Sequence, residues 1–414
     1  MQLTIFISLI YLSLSIYFYF FTYRKNKFGI INIFFLLMVF NYSIRPILSM
    51  IFDYWLDNRF SGPSSYEYNK VYLQSITPVL LTQFFYYTKL KKSLPIKIPF
   101  KATPTYRKDL IIYSCFALIL ILYLIIKYGF TWLAPNRSIA ASLIAPEFRY
   151  FFPLLVFISL TFYFRQNLEF SKTRIFPLIL FFIISGIFFT LFSARGYLVY
   201  MILFSIPYLR NKSKILPLLG FFYLIFTVFI LRLIGENGFD ANASYIIASN
   251  GDAIDTWFIV NDFVQKNGLL YGKGIIGNVF NLIPLSIREN LPIRSSWDLL
   301  NLHYFGDEYL NSSFGYNLNV FQELFMNFGY TGLAFFPILG RMLGQLDLKI
   351  NALRQTNQNG VYTSILLMRV QTLLAFGTFQ WLIMFEFLRF FHKNILNDNF
   401  NTRQNRINRK KSIQ

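Results

Sequence analysis

The chain has 414 residues, of which 55% are hydrophobic, 20% are aromatic and only 14% are charged. Soluble domains carry about 25% charged residues, so this composition excludes a water-soluble globule of the same length. The formal net charge of +20 would suit a nucleic-acid-binding protein, but its distribution along the chain indicates membrane topology. We therefore expect no nucleic-acid partner.

A membrane-spanning helix needs about 20 mostly apolar residues. Eleven stretches meet this requirement approximately, although the seventh is short and the last two are closely spaced, which leaves counts of ten and twelve open. The first stretch has no basic residue before it and no cleavage pattern after it, so we expect a retained span. The sequence predicts a single all-α polytopic membrane domain over 1–414, with spans at 2–22, 29–51, 71–88, 110–128, 149–165, 175–193, 197–209, 215–234, 316–340, 361–377 and 379–392.

The basic residues are concentrated in alternate hydrophilic segments, as they are in the cytoplasmic loops of membrane proteins. We therefore predict an outer N-terminus and a basic cytoplasmic tail over 393–414, which suits contact with anionic lipid headgroups. Of the 39 Lys and Arg residues, 26 lie in 23–28, 88–109, 165–174, 210–214, 341–354 and the tail from Arg389.

The longest hydrophilic stretch, 235–315, is extracytoplasmic on this topology. It holds nine of the 19 acidic residues and only four basic ones. Segments beginning at Trp257 and at Ile275 have the pattern of short amphipathic or interfacial helices, separated by Gly and Pro. About 80 residues are too few and too apolar for a separate soluble domain, so we predict a partly helical cap on the outer end of the bundle.

Ionisable residues within spans are rare and are functional candidates. Arg369 could instead form a structural ion pair with Glu323 or Glu386, and arginines near a span end often extend to the membrane surface. The six residues of this kind are Arg45, Arg195, Arg232, Glu323, Arg369 and Glu386.

Several of these arginines lie towards the predicted outer face. The guanidinium group stays charged and binds phosphate through two parallel hydrogen bonds. A polyprenyl diphosphate sugar suits such a site, because its tail stays in lipid while its diphosphate needs positive partners. If the bond from sugar to diphosphate breaks, arginines stabilise the charge that develops on the leaving oxygen.

Three parts of the sequence resemble Wzy-type O-antigen polymerases. Ser193-Ala-Arg-Gly196 resembles their outer-turn arginine motif. Tyr271-Gly-Lys-Gly274, followed by Asn281-Leu-Ile-Pro-Leu-Ser-Ile-Arg288 and Leu291-Pro292, resembles the glycine and Pro-x-x-x-Arg stretch of their large outer loop. Ser313-Phe-Gly-Tyr316 and Gln322-Glu-Leu-Phe-Met-Asn-Phe-Gly-Tyr-Thr-Gly332 resemble the segment that re-enters the membrane.

The resemblance implies a GT-C-like membrane glycosyltransferase of the bacterial inner membrane, with its active site facing the periplasm. Such polymerases transfer a growing chain from undecaprenyl diphosphate onto an incoming lipid-linked repeat unit, in some cases with a chain-length co-polymerase. They need no metal. We expect no metal site and no cofactor here, because the two histidines lie on opposite faces of the membrane and the outer loop has no Asp-x-Asp cluster.

The resemblance also suggests roles for individual residues. Arg195 and Arg288 would hold the diphosphate, with Arg232, Arg294 and Arg369 as further candidates. The base that accepts the hydroxyl proton would be His303, Glu323, Asp307 or Glu308, and a histidine has a suitable unperturbed pKa. Loop aromatics that could stack on sugars, or instead anchor at the membrane interface, are Trp257, Tyr271, Trp297 and Tyr304.

Three alternatives stay open. An O-antigen ligase would use the same donor but deliver the chain to a lipid A core. A flippase for the lipid-linked unit would be expected to show internal repeats and charges at the membrane midplane, and the sequence has no visible repeat. A sensor or scaffold would need neither the arginines nor the ordered loop.

Overall fold

The structure is a computed structural model. It describes residues 2–24, 30–44, 46–47, 65–92, 253–280, 293–306 and 318–355, together with single helical positions within 115–127, 366–374 and 382–390. Every regular element in these residues is a helix, as the sequence predicts. The spans predicted between 149 and 234 and the tail 393–414 lie outside the described residues.

Three long helices come from the N-terminal part of the chain. Helix α1 covers Gln2–Arg24, and α2 covers Ile30–Val39 and continues as a π-helical turn, Phe40–Ile44. Helix α3 covers Ser65–Lys92 and contains Pro78 in its interior. Glu67 lies in the first turn of α3, where a negative charge interacts favourably with the helix dipole.

Helix α1 has the length and composition of a membrane span. Among the described residues, Leu3–Phe21 is the one segment long and apolar enough to cross a membrane, and it lies near the N-terminus, where a signal sequence would also pass this test. Its large apolar side chains are mostly exposed, including Phe6 at 62% and Phe20 at 55%. An apolar surface of this kind suits lipid.

Side-chain contacts fix the relative directions of these helices. The Ser8 and Tyr72 hydroxyls are 2.8 Å apart, and Gln83 donates to Ser15 over 3.2 Å, so α1 and α3 run parallel. Helix α2 runs in the opposite direction, because Tyr72 at the start of α3 donates to the carbonyl of Tyr42 at the end of α2.

The predicted ninth span, 316–340, is not a single helix. The chain forms α7, Val320–Phe328, then a 3-10 turn, Gly329–Ala334, and then α8, Phe335–Gln355. The segment 341–354, which was predicted as a cytoplasmic loop, is therefore the C-terminal part of α8. The reason is local: Gly329 ends α7 with a φ of 58°, a conformation that favours glycine.

Helix α8 packs closely against α3 through two glycines spaced four residues apart. A Cβ atom added to Gly340 would lie 2.3 Å from the Thr82 carbonyl oxygen, and one added to Gly344 would lie 3.0 Å from the Lys89 Cβ. This spacing is the small-residue motif that lets two helices approach closely. The order of the contacts shows that α8 runs parallel to α3.

The predicted outer loop contains three described helices, α4 over Ala253–Asn267, α5 over Lys273–Phe280 and α6 over Ser296–Phe305. We call α4 to α7 the loop assembly. It has its own apolar core, which combines side chains from α4, α6 and α7. The fully buried members are Ile259, Val260, Phe263, Leu300 and Met326.

The loop assembly contacts one end of the helix bundle. The ring centroids of Phe258 in α4 and Tyr68 in α3 are 5.9 Å apart. Asn319, at the start of α7, donates to the Tyr42 hydroxyl over 3.4 Å. Both contacts lie where α3 begins and α2 ends, so the loop assembly covers that end of the bundle.

Candidate functional site

The closest packing in the loop assembly is at the junction of α5, α6 and α7. A Cβ atom added to Gly274 would lie 2.1 Å from the Ser296 Oγ, and one added to Gly277 would lie 2.2 Å from the Arg294 carbonyl oxygen. No side chain fits at either position without movement. The Gly-x-x-Gly spacing of α5 therefore brings its backbone directly against the start of α6.

A buried carboxyl group lies at this three-helix junction. Glu323 of α7 is 2% exposed, and its Oε1 accepts a hydrogen bond of 2.6 Å from Asn278 Nδ2 of α5. No Lys, Arg or His of the described chain lies within 4.0 Å of it. Among the described residues, the Asn278 amide is therefore the group that holds this carboxylate.

Asn327 joins the three helices around Glu323. Its Nδ2 donates to Ser296 Oγ over 2.9 Å and to the Glu323 carbonyl over 2.8 Å. Its Oδ1 accepts from the Gly274 backbone N–H over 3.2 Å. All of these groups are buried. The hydrogen bonds of Asn327 favour one arrangement of the helices, because each broken bond would leave a buried polar group without a partner.

The turn before α5 closes the C-terminal end of α7. The backbone N–H groups of Leu270 and Tyr271 donate to the carbonyls of Met326 and Asn327 over 3.1 and 2.8 Å. The last carbonyls of a helix have no hydrogen-bond partner within the helix. The backbone N–H groups of this turn therefore act as donors to the last carbonyls of α7. Two of the motifs that carry the family resemblance, 271–274 and 322–332, are therefore in direct contact.

This turn needs unusual backbone conformations. Gly268 and Gly272 have φ values of 76° and 85°, and Tyr271 has a φ of 50°. A non-glycine residue in this region is uncommon and costs about 1 kcal/mol or more. Tyr271 is 76% exposed, so burial of its ring does not offset this cost. The contacts between this turn and α7 offset the cost of the Tyr271 conformation.

Arg294 is the one diphosphate candidate of the outer loop that lies in the described residues. Its carbonyl oxygen lies against Gly277, the residue before Asn278. Its side chain is partly exposed. The backbone of Arg294 therefore takes part in the junction, while its side chain reaches solvent.

The N-terminus of α7 is fixed by Asn319. Its Oδ1 accepts from the backbone N–H groups of Phe321 and Gln322, and its own N–H donates to Gln322 Oε1. This reciprocal capping box, with the bond to Tyr42 described above, orients the helix that carries Glu323.

His303 lies elsewhere. It is exposed on α6, with its Nδ1 3.5 Å from Asn267 Nδ2 and its ring edge-on to Phe263 and Tyr304. Seven residues of helix separate it from Ser296, which is about 10 Å along the axis. The structure therefore does not bring His303 and Glu323 together. Partial burial would raise the pKa of nearby Asp262, but hydrogen bonds from Lys266 and Tyr304 lower it overall.

The candidate sugar-stacking aromatics differ in accessibility. Trp257 is fully buried beside Phe325. The Tyr304 hydroxyl bonds to the Ile259 carbonyl over 3.1 Å and to Asp262. Trp297 is partly exposed, and Tyr271 is the most exposed of the four.

Arg369 is paired. Its Nε donates to Glu386 Oε1 over 2.9 Å, which matches one of the two ion pairs considered from the sequence. Both side chains are partly exposed. The other candidates lie outside the described residues: Arg45, Arg195, Arg232, Arg288, Asp307 and Glu308.

Sequence reasoning missed Asn278, Ser296 and Asn327. The available signal was the Gly-x-x-Gly spacing of Gly274 and Gly277, which indicates a close helix contact without naming its partner. In the part of the chain that the structure describes, no three His, Cys, Asp or Glu side chains group as a metal site would require. The absence of metal from the whole chain stays a prediction.

Comparisons with known proteins give no family assignment. The chain matches no family model, no curated protein and no solved structure.

Proposed function

We propose that the chain is a polytopic inner-membrane glycosyltransferase that joins undecaprenyl-diphosphate-linked repeat units into a surface polysaccharide. The observation that carries this proposal is the three-helix junction, where the buried Glu323 carboxylate accepts from Asn278, and the neighbouring Gly277 lies against the backbone of Arg294. A base for an incoming hydroxyl and a cation for a leaving diphosphate are the two groups that this reaction needs.

In the proposed reaction, a hydroxyl of the incoming lipid-linked unit attacks the anomeric carbon of the growing chain. A new C–O bond forms, and the bond from that carbon to the diphosphate oxygen breaks. The electron pair leaves with undecaprenyl diphosphate, whose charge Arg294 stabilises together with Arg195 and Arg288. The proton passes to Glu323. No general acid is needed, because diphosphate leaves as an anion.

The directions of the helices support the polytopic part of the proposal. Helices α3 and α8 run parallel, and the loop assembly covers the end at which α3 begins. If both helices cross the membrane, the chain between them crosses an odd number of times, and the sequence predicts five crossings there. The predicted spans one, three and nine likewise share a direction opposite to that of span two. The loop assembly then faces the periplasm.

The test is a gel of surface polysaccharide from a deletion strain of the source bacterium, complemented with wild-type protein or with Glu323→Gln. We expect the deletion and Glu323→Gln to leave a single-repeat product without a ladder, while wild type restores the ladder. Protein abundance is measured in each strain. His303→Gln, at the candidate base that lies away from the junction, should retain the ladder.

A matched control is Asp262→Asn. Asp262 is a loop carboxylate paired with Lys266 at 2.8 Å, and it lies on α4, away from the junction. It should retain the ladder. Loss of even the single-repeat product, with lipid-linked polymer accumulating, would identify a ligase. An unaltered ladder in the deletion strain would exclude both activities, and retention of the ladder by Glu323→Gln would remove Glu323 from the reaction.

A further inference from the structure

One buried polar atom at the junction has no hydrogen-bond partner among the described residues. Asn278 is 2% exposed, and its Nδ2 donates to Glu323, but its Oδ1 accepts from no group there. The contrast with Asn327 is direct, since that amide uses both its oxygen and its nitrogen.

An unpartnered buried carbonyl oxygen is costly. Burying an amide oxygen without a hydrogen bond is unfavourable, and buried polar atoms are paired in the great majority of cases. The bond from Nδ2 to Glu323 holds the Asn278 side chain in this orientation. Its Oδ1 can therefore accept a hydrogen bond while Nδ2 keeps its bond to Glu323.

We propose that Asn278 Oδ1 is a binding site for a hydroxyl of the acceptor sugar. The amide is planar, so a group that donates to Oδ1 lies beside the carboxylate that Nδ2 holds. A hydroxyl has one proton and cannot serve both acceptors. The attacking hydroxyl gives its proton to Glu323, and the neighbouring hydroxyl on the same ring donates to Asn278. Asn278 thus selects acceptors with two adjacent hydroxyls, an inference that rests on the proposed polymerase function.

The experiment measures polymer formation by purified full-length protein in lipid nanodiscs. The acceptors are lipid-linked repeat units whose terminal sugar carries hydrogen in place of one hydroxyl at a time. For wild type, removing the attacking hydroxyl should abolish product. Removing one adjacent hydroxyl should lower the rate about tenfold, the effect of one hydrogen bond in a buried site. Removing the others should have little effect.

Variants then assign the adjacent hydroxyl to Asn278. In Asn278→Ala the overall rate falls, but the tenfold discrimination against the adjacent deoxy acceptor disappears. Asn327→Ala is the matched control: it disturbs the same network and slows the reaction, yet it keeps the discrimination because Asn278 is intact. For each variant, the rate with the unmodified acceptor is divided by the rate with the adjacent deoxy acceptor. Comparing these ratios separates loss of the Asn278 contact from a general loss of activity.

The outcomes separate the two proposals. Wild type that makes no polymer from the unmodified unit would overturn the polymerase function and this inference together. If wild type polymerises the unmodified unit normally and uses every adjacent deoxy acceptor at the same rate, this inference alone is overturned. That result is obtained with wild-type protein, so it does not depend on a variant that might fail to fold. Equal discrimination in Asn278→Ala and wild type would likewise overturn the role of Asn278.

Discussion

Replacing Gly277 by alanine tests whether the contact between α5 and the start of α6 controls the geometry at Glu323. The new Cβ would lie 2.2 Å from the Arg294 carbonyl oxygen, 2.3 Å from its carbon and 2.5 Å from the Ser295 nitrogen. All three are backbone atoms and cannot rotate away. The two segments must separate by about 1 Å before these distances reach an ordinary contact.

The expected effect on stability is small, because two terms oppose each other. Forced overpacking costs about 1–3 kcal/mol, while alanine favours a helix interior over glycine by about 1 kcal/mol. The expected effect on the reaction is large. A displacement of about 1 Å at reacting groups lowers a rate by about 100-fold, and α5 carries the Asn278 amide that holds Glu323.

The assay is the initial rate of polymer formation in nanodiscs, with a thermal melt of the same preparation. Gly277→Ala should polymerise about 100-fold more slowly and unfold within a few degrees of wild type. The control is Ile276→Ala on the same helix. Ile276 is 55% exposed, so its truncation leaves the junction intact and should leave the rate close to that of wild type.

Two results would refute this reasoning. A Gly277→Ala rate within about twofold of wild type, against the 100-fold that a 1 Å shift implies, would mean that the junction does not determine the reacting geometry. Loss of the folded protein would show that the contact mainly provides stability, contrary to the balance of terms above.

Two further predictions concern the bundle. Gly340→Leu should separate α8 from α3 and lower the unfolding temperature, because even a Cβ there would lie 2.3 Å from an α3 carbonyl oxygen. The control, Met342→Leu at an exposed position of α8, should leave the unfolding temperature unchanged. Equal unfolding temperatures for the two variants would contradict the close packing of α8 on α3. In a Cys115→Ser background, Tyr271→Cys should react with a membrane-impermeant maleimide in intact spheroplasts, and Lys91→Cys only after permeabilisation. The same labelling of both would contradict the proposed topology.

The sequence predicted those features that depend on local pattern. Its apolar runs predicted helices at α1, α2, α3 and α7, and the segments at Trp257 and Ile275 correspond to α4 and α5, whereas α6 and the C-terminal part of α8 were not predicted as helices. The pairing of Arg369 with Glu386 was one of two ion pairs considered, since both residues lie in neighbouring predicted spans. Such inferences succeed because residue spacing along a helix determines which side chains share a face.

Other features could not be predicted, because they depend on contacts between distant parts of the chain. Hydropathy merged α7 with α8, since nothing in the apolar run 316–340 signals the break at Gly329 more strongly than its other glycines. Trp257 carries the pattern of an interfacial aromatic, and only the packing of α4 against Phe325 of α7 makes it a core residue. The partners of Asn278 lie 45 residues away in the chain.

The choice of Glu323 as the proposed base follows from these long-range contacts. A general base must lie within hydrogen-bond reach of the hydroxyl that attacks, and that hydroxyl must lie beside the carbon whose diphosphate is leaving. His303 has the better unperturbed pKa, but it is exposed and about two helical turns from Ser296. Glu323 is held by Asn278 of α5, next to the contact of Gly277 with the Arg294 backbone. Geometry therefore favours Glu323 over His303, although the order inferred from proton affinity alone was the reverse.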